Sequence, residues 1–452
     1  MRIHLTAIGG AVMHNLALAL HKQGHIVSGS DDEIFDPAKS RLEKAGLLPK
    51  EFGWDEKRIT DDLDLVIIGM HARQDNPEIA KAKEKNIPLC SFPEYLYKHA
   101  AEKGRVVVAG SHGKTTITSM ILQMLRSAGR RFDYMVGSEL EGFDLMVGLT
   151  DEATVMVFEG DEYLSSPLDL RPKFWHYKPH IAIISGIAWD HINVFPTFDV
   201  YVDAFRKFID SIELNGVLVY NEEDEILKKL ALESRADIHK IPYHTPEYKI
   251  EDGKIFWKTN NEMIPLNVPG RHNVQNMEGA MQVCLAMGIE TDDILRAATT
   301  FKGAARRLEL MEKNERSIVY RDFAHAPSKL KATVSSVKEM YPDKKVVAVM
   351  ELHTFSSLNQ KFLDHYKDTM KDADVAIVYF NPHTIEHKKL LPVSVEQVKT
   401  AFDKNDILVL TDSQILRDTL LNMDNSNAVF LLMSSGNFDG IDFKTFSSQL
   451  IQ

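Results

Sequence analysis

The chain has 452 residues, more than one hydrophobic core ordinarily serves, so two or three domains are expected. A hydrophobic share of 44% and a charged share of 26% are those of a soluble protein, and a net charge of -12 argues against nucleic-acid binding. Two isolated cysteines, Cys90 and Cys284, exclude a disulfide framework and a thiolate metal cluster. With no long apolar span and no secretion signal in MRIHLTAIGG, a cytoplasmic protein without stable membrane association is expected.

The first block, 1–103, opens with the apolar run RIHLTAIG, which ends in Gly9-Gly10. AVMHNLALALHKQGH follows with apolar residues at helical spacing, then the strand-like IVSGSDD and LDLVIIGM, and KNIPLCSFPEYLYKH closes the block. Strand, helix, strand at this spacing predicts a parallel sheet covered by helices. A G-x-G-x-x-G fingerprint is absent. Gly9 and Gly10 either bring backbone amides to a phosphate or simply make a tight turn. Ser30 and Asp31 end the second strand, where a ribose or base is often held.

The second block, 104–303, opens with VVVAGSHGKTTITSM. A standard phosphate loop would place its first glycine at Val108; here it is Gly110, with Ser111 and His112 before Gly113-Lys114-Thr115-Thr116. A strand precedes and an apolar helix follows, so a short nucleotide-phosphate loop is predicted. TVMVFEGDEY places Glu159, Asp161 and Glu162 after a strand, where buried acids call for a cation such as Mg²⁺. IAIISGIAWDH places Asp190 and His191 just after another strand, either as an ordinary surface pair or at a second Mg²⁺. DIHKIPYH, YKIEDGKIFWKT and EMIPLNVP are read as antiparallel strands with turns, including Asp252-Gly253. GRHNVQNMEGAMQVCLAMG returns to helix, with Gly288 as its C-cap.

The third block, 304–452, carries five strand-like runs: SIVYRDFAH, KKVVAVME, DVAIVYF, DILVLT and NAVFLLMSSG. Arg306-Arg307 stands at its entrance, either as a solvated face or to close onto a transferred phosphate, whose oxygens suit a guanidinium fork. Asp322, His325 and Lys329 follow its first strand.

GSHGKTT, FEGDEY, WDH, GRHNVQN, ARRLE and YRDFAHAP occur in an order that resembles the Mur ligase family, over essentially the whole chain. The resemblance implies an α/β fold of three domains: Rossmann-like at 1–103, P-loop ATPase-like at 104–303 and Rossmann-like at 304–452. It implies an ATP- and Mg²⁺-dependent ligase that forms an amide through an acyl phosphate, with domain closure during turnover. The first domain would bind UDP-N-acetylmuramate, the second ATP, and the third the amine substrate.

Carried over by position, the resemblance makes Lys114, Glu159, His191 and Arg307 catalytic, and Thr115, Glu159 and His191 metal ligands. Gly110, Ser111, His112, Gly113, Lys114, Thr115, Thr116, His272, Asn276, Arg307 and Asp322 would hold the nucleotide. Gly9, Gly10, Ser30, Asp31 and His71 fall on the muramate-nucleotide side, and His325, His353, Ser434, Ser435 and Asn437 on the acceptor side. Within the family, FEGDEY, YRDFAHAP and the ending MSSGNFDGI resemble the murein peptide ligase branch, whose acceptor is L-alanyl-γ-D-glutamyl-meso-diaminopimelate in peptidoglycan recycling. The alternative acceptor is free L-alanine in peptidoglycan synthesis. ELHTF, with His353, resembles the alanine-adding branch, and His325-Ala326 replaces the usual His-His. A reading of another class is a non-catalytic P-loop nucleotide-binding regulatory protein. Oligomeric state is not legible.

Overall fold

β1 (Arg2–Thr6) is buried from Ile3 onward and runs parallel to both β2 (Ile26–Ser30) and β3 (Leu65–Ile68). β4 (Leu89–Ser91) completes a four-stranded parallel sheet of order β2-β1-β3-β4. The aliphatic run of β3, Leu65-Val66-Ile67-Ile68, suits a strand covered on both faces, and β1 buries His4 and Thr6 beside Ile3 and Leu5. Helix Ala11–Lys22 makes the first crossover and buries Met13, Leu16, Ala17 and Leu20. Helix Phe92–His99 starts at a capping box formed by Ser91 and Glu94. The computed structural model describes residues 1–251, 253–259, 262–303 and 308–451.

The next sheet is built on β5 (Gly104–Ala109), whose residues from Arg105 onward are buried. Its other strands are β6 (Phe132–Met135), β7 (Val147–Gly148), β8 (Val155–Glu159), β11 (Ile181–Ile184), β12 (Val217–Asn221) and β13 (His239–Tyr243). The order is β13-β12-β11-β5-β8-β6-β7, parallel except for β7 against β6. A separate hairpin pairs β9 (Leu164–Ser166) with β10 (Asp169–Pro172). Register puts Val108 opposite Glu159 and Ala109 opposite Ile184, so three carboxyl-terminal strand ends lie side by side. Met1–Ile187, Phe198–His244 and Gly279–Ala297 form one compact unit containing these sheets.

The second unit comprises Ala188–Thr197, Thr245–Glu278 and Ala298–Gln452. It holds a three-stranded antiparallel meander of β14 (Tyr248–Glu251), β15 (Lys254–Thr259) and β16 (Glu262–Leu266). It also holds a six-stranded sheet of β17 (Glu309–Lys313), β18 (Ile318–Asp322), β19 (Lys345–Glu351), β20 (Val375–Tyr379), β21 (Leu408–Leu410) and β22 (Ala428–Met433). Its order is β17-β18-β22-β19-β20-β21, with β17 alone antiparallel to its neighbour. One face is covered by a cluster around Leu330, Val334, Met350 and Tyr366, the other by one around Leu416, Phe438 and Phe446.

The five expected strands of the third block are all present, and β17 adds a sixth. One pairing differs from the sequence reading. HKIPY, read as antiparallel, pairs in parallel with β12 at the sheet edge. Its short, polar-interrupted run resembles a hairpin strand, but edge strands tolerate that pattern and Pro242. Gly288 ends helix Arg271–Ala286 as expected, at φ +72°. Asp252 lies outside the described residues; β14 and β15 pair with Glu251 opposite Lys254. No helix among the described residues is long and apolar enough to cross a membrane.

Candidate active site

The loop Gly110–Gly113 joins β5 to helix Lys114–Ser127. Gly110 has φ +126°, and an added Cβ would collide with the Ser185 hydroxyl at the end of β11. The loop therefore lies against the neighbouring strand end, with the Ser111 amide donating to Gly186 O at 3.0 Å and Ser185 Oγ donating to the His112 carbonyl. Gly113 is the helix N-cap, at φ +76°, and brings no side-chain acceptor to the first amides. A helix start of this kind presents N–H groups and a positive dipole end to an anion.

Lys114 is fixed within this frame. Its Nζ donates to Gly110 O at 2.8 Å and to Glu162 Oε2 at 2.6 Å. Burial disfavours the ammonium, but Glu162, Asp161 and Glu159 outweigh it and hold the pKa above the ordinary lysine value. Glu162 in turn accepts from Tyr201 OH at 3.0 Å, and Tyr201 OH meets Ser111 Oγ at 2.8 Å. Thr115 Oγ1 donates to Glu159 Oε1 at 2.8 Å, and the Gly137 amide donates to Glu159 Oε2 at 2.7 Å. Thr116 is buried in the same first turn.

These residues fit a magnesium nucleotide. A hydroxyl and a carboxylate within hydrogen-bond distance supply the oxygen ligands that Mg²⁺ selects. An uncapped helix start beside a cationic lysine suits the phosphates. A second group, Glu94, Asp169 and His176, has the right residue types for a metal. There Arg171 occupies both Asp169 oxygens, through Nε at 2.8 Å and NH2 at 2.7 Å.

In the first sheet the Gly9 amide donates to Asp31 Oδ2 at 2.7 Å. Burial pushes the Asp31 carboxyl up to about 6, against the opposing effect of that amide. Ser30 is fully buried at the end of β2, and its carbonyl accepts the Ile8 amide. Gly10 is the N-cap of helix Ala11–Lys22. His71 is exposed, three residues beyond β3.

The second unit gathers the rest of the expected residues. Asp190 is buried, accepts the His191 amide at 2.8 Å, and lies 3.8 Å from Lys329 Nζ and 4.0 Å from His325 Nε2. His191 itself has φ +53°. Burial raises the Asp190 pKa, but the charges of Lys329, His191 and His325 overcome this and hold it at about 2. Asp322 closes the β18 end by accepting from the Leu308 amide at 2.6 Å and the Ala324 amide at 2.7 Å. His272 Nδ1 is 3.1 Å from Ser336 Oγ, burial lowers its pKa, and Asn276 is buried one turn on. Glu351 accepts from Ser434 Oγ and from the Phe438 amide at 2.9 Å, with His353 Nδ1 at 3.6 Å. Ser435 Oγ is buried without a hydrogen-bond partner among the described residues, while Asn437 is exposed. Arg307, expected at the transferred phosphate, lies outside the described residues, as does Arg306.

Three family models match in succession: a Mur ligase family catalytic domain over residues 2–104, a Mur ligase middle domain over 108–284, and a Mur ligase glutamate ligase domain over 306–436. The UDP-N-acetylmuramate–L-alanine ligase of Syntrophomonas wolfei is 32% identical over 390 residues, spanning 83% of this chain and 81% of its own length. The chain belongs to the Mur ligase family. It is an ATP-dependent, amide-forming ligase of three family domains, not a non-catalytic regulator.

The ligase is also 29% identical to the UDP-N-acetylmuramate–L-alanine ligase of Aquifex aeolicus, over 96% of this chain and 95% of that one. Among solved structures, a UDP-N-acetylmuramate-alanine ligase from Thermotoga maritima has a TM-score of 0.70 at 21% identity, covering 100% of this chain and 98% of that chain. A murein peptide ligase from Psychrobacter arcticus has a TM-score of 0.67 at 23% identity, covering 100% and 99%. Both likenesses are of fold. The curated relatives overturn the expected tripeptide acceptor, since those at 28–32% identity carry the alanine-adding name. Of the segments read as peptide-ligase marks, FEGDEY and YRDFAHAP lie at the ends of β8 and β18, while MSSGNFDGI leaves β22 with Ser434 against Glu351, the same carboxylate that His353 of ELHTF approaches at 3.6 Å.

Sequence reading missed four members of the hydrogen-bonded cluster around the 110–114 loop: Gly137, Ser185, Tyr201 and the pairing role of Glu162. FEGDEY flagged Glu162 as an acid, but nothing near it in sequence names its hydroxyl partner, which comes 39 residues later.

Proposed function

We propose that this ligase joins L-alanine to UDP-N-acetylmuramate at the expense of ATP, as a cytoplasmic enzyme of peptidoglycan synthesis. The observation that carries the reading is the full-length likeness to curated UDP-N-acetylmuramate–L-alanine ligases. The lactyl carboxylate accepts the terminal phosphoryl group, and the alanine amine then displaces phosphate from the acyl carbon. Lys114 holds positive charge at the phosphoryl oxygens, and the helix start at Gly113 orients them by backbone amides. Thr115 and Glu159 would hold one Mg²⁺ and His191 a second, and Mg²⁺ when bound neutralises charge on the phosphate oxygens. His272, Asn276 and Asp322 serve the nucleotide, and Arg307 serves the transferred phosphate. Gly9, Gly10, Ser30, Asp31 and His71 serve the muramate nucleotide. His325, His353, Ser434, Ser435 and Asn437 serve the acceptor.

The test is phosphate release from ATP with each substrate present or omitted. Release that needs both UDP-N-acetylmuramate and L-alanine supports the reading. Direct competition between L-alanine and the L-alanyl tripeptide decides the acceptor, and a preference for the tripeptide overturns it.

A further inference from the structure

A carboxylate in the first domain is buried away from the phosphate chemistry. Glu78, in helix Pro77–Glu84, has no exposed surface, and neither has His4 on β1 or Ser30 on β2. An acid placed there is costly unless its oxygens are fully satisfied, and an apolar side chain would fill the space with less penalty.

Its oxygens are satisfied by three separate segments. Glu78 Oε2 accepts from Ser30 Oγ at 2.5 Å and lies 3.3 Å from His4 Nε2. Glu78 Oε1 accepts from the Asp55 amide at 3.0 Å and from Arg58 NH1 at 3.4 Å. His4 Nδ1 meets Ser28 Oγ at 2.9 Å. These partners outweigh burial and keep the carboxyl below the ordinary glutamate pKa.

The partners lead back to one rim. Arg58 NH1 also donates to Gly53 O at 2.6 Å, and its NH2 to Glu51 O at 2.8 Å. The Gly53 amide donates to Asp31 O at 2.7 Å, and Asp31 Oδ2 holds the Gly9 amide. One carboxylate thus ties β1, the end of β2 and the 51–58 loop to the backbone of Gly9, Ser30 and Asp31. Because Ser30 gives its only hydroxyl proton to Glu78, its oxygen can meet a further group only as an acceptor.

We propose that Glu78, seated by His4, is a positioning residue for the muramate nucleotide: it fixes Ser30 and the 51–58 loop, and through Gly53 the Asp31 segment, in the arrangement that receives that substrate. The inference rests on the assignment of Gly9, Ser30 and Asp31 to UDP-N-acetylmuramate.

Glu78→Gln keeps the volume but sets an amide NH₂ against groups that are themselves donors. Steady-state kinetics of the full-length variant should show KM for UDP-N-acetylmuramate raised about tenfold, the factor expected for one lost charge-assisted hydrogen bond. Its kcat and its KM for ATP should stay at wild-type values. His4→Gln, which leaves the carboxylate in place, should shift the same KM by less, and it carries the test if Glu78→Gln does not fold. Glu78→Asp should recover part of the affinity. A rise of both KM values together, or of neither, overturns the proposal and leaves Glu78 a brace of the fold. Calorimetry with UDP-N-acetylmuramate separates the two layers. No binding to the wild-type chain removes the substrate assignment and this inference with it. Binding by the wild type and unaltered binding by Glu78→Gln removes this inference alone.

Discussion

Lys114 Nζ stands 2.6 Å from Glu162 Oε2 and 2.8 Å from the carbonyl of Gly110, so the cation of the phosphate loop is tied to the loop and to the acidic strand end at once. The lysine is held ready in a charged state. Phosphate oxygens need only replace one of its present acceptors.

Removal of that charge should therefore act on turnover more than on folding. Lys114→Ala should lower kcat by about 10²–10³-fold or more, the scale for losing a preorganised electrostatic group. ADP release at saturating substrates measures it, with thermal unfolding as the control. Near-normal turnover would remove Lys114 from the reaction.

Gly110→Ala should fail for a steric reason. The residue has φ +126°, and the new Cβ would meet Ser185 across the sheet. The combined strain and overlap should cost about 1–3 kcal/mol and displace the loop. Gly288→Ala is the comparison, because Gly288 also has positive φ but open space around its Cβ position. Both variants should lose stability in denaturant titration, and only Gly110→Ala should lose nucleotide affinity. Equal nucleotide affinities would contradict the loop geometry.

Much of this site is legible in the sequence because it is local. VVVAGSHGKTT spells strand, turn and helix start within one short run. Glu159 could be placed beside it because both lie at carboxyl ends of apolar strands, and the register of Val108 with Glu159 bears this out. The partners of Lys114 were not legible as a set. Tyr201 lies 90 residues from Ser111, and helix Phe198–Asp210 brings its hydroxyl to the Ser111 side chain. The parallel pairing of β13 was missed for a related reason: strand direction is set by the crossover, and HKIPY carries no mark of it. The acceptor was misread because three short motifs, FEGDEY, YRDFAHAP and MSSGNFDGI, outweighed the one segment that pointed the other way, ELHTF with His353.

The two thiols should be silent in the native protein. Cys90 and Cys284 are 4% and 0% exposed, and burial pushes the Cys90 thiol up to about 12 and raises that of Cys284 as well. Thiolate is the reactive form, so alkylation at pH 8 should leave activity intact. Mass spectrometry should find both residues labelled only after denaturation. Rapid native labelling at either site would show that its core opens readily.

Asp190 makes the strongest pH prediction. Its folded pKa of about 2 lies below the ordinary aspartate value, because Lys329, His191 and His325 favour the carboxylate against the burial that opposes it. A depressed folded pKa means the unfolded chain binds the proton more readily. The contribution to stability is therefore complete above pH ~4 and is lost as pH falls from ~4 to ~2, amounting to about 2 kcal/mol at neutral pH. Asp190→Asn should remove that contribution, so it should be less stable than wild type in urea at pH 7. The difference should shrink toward pH 2. Trp189, adjacent in sequence and edge-on to His365 at 5.4 Å, offers a fluorescence signal in the same segment. A constant difference across the acid range would mean that Asp190 is held by shape and not by the charges around it.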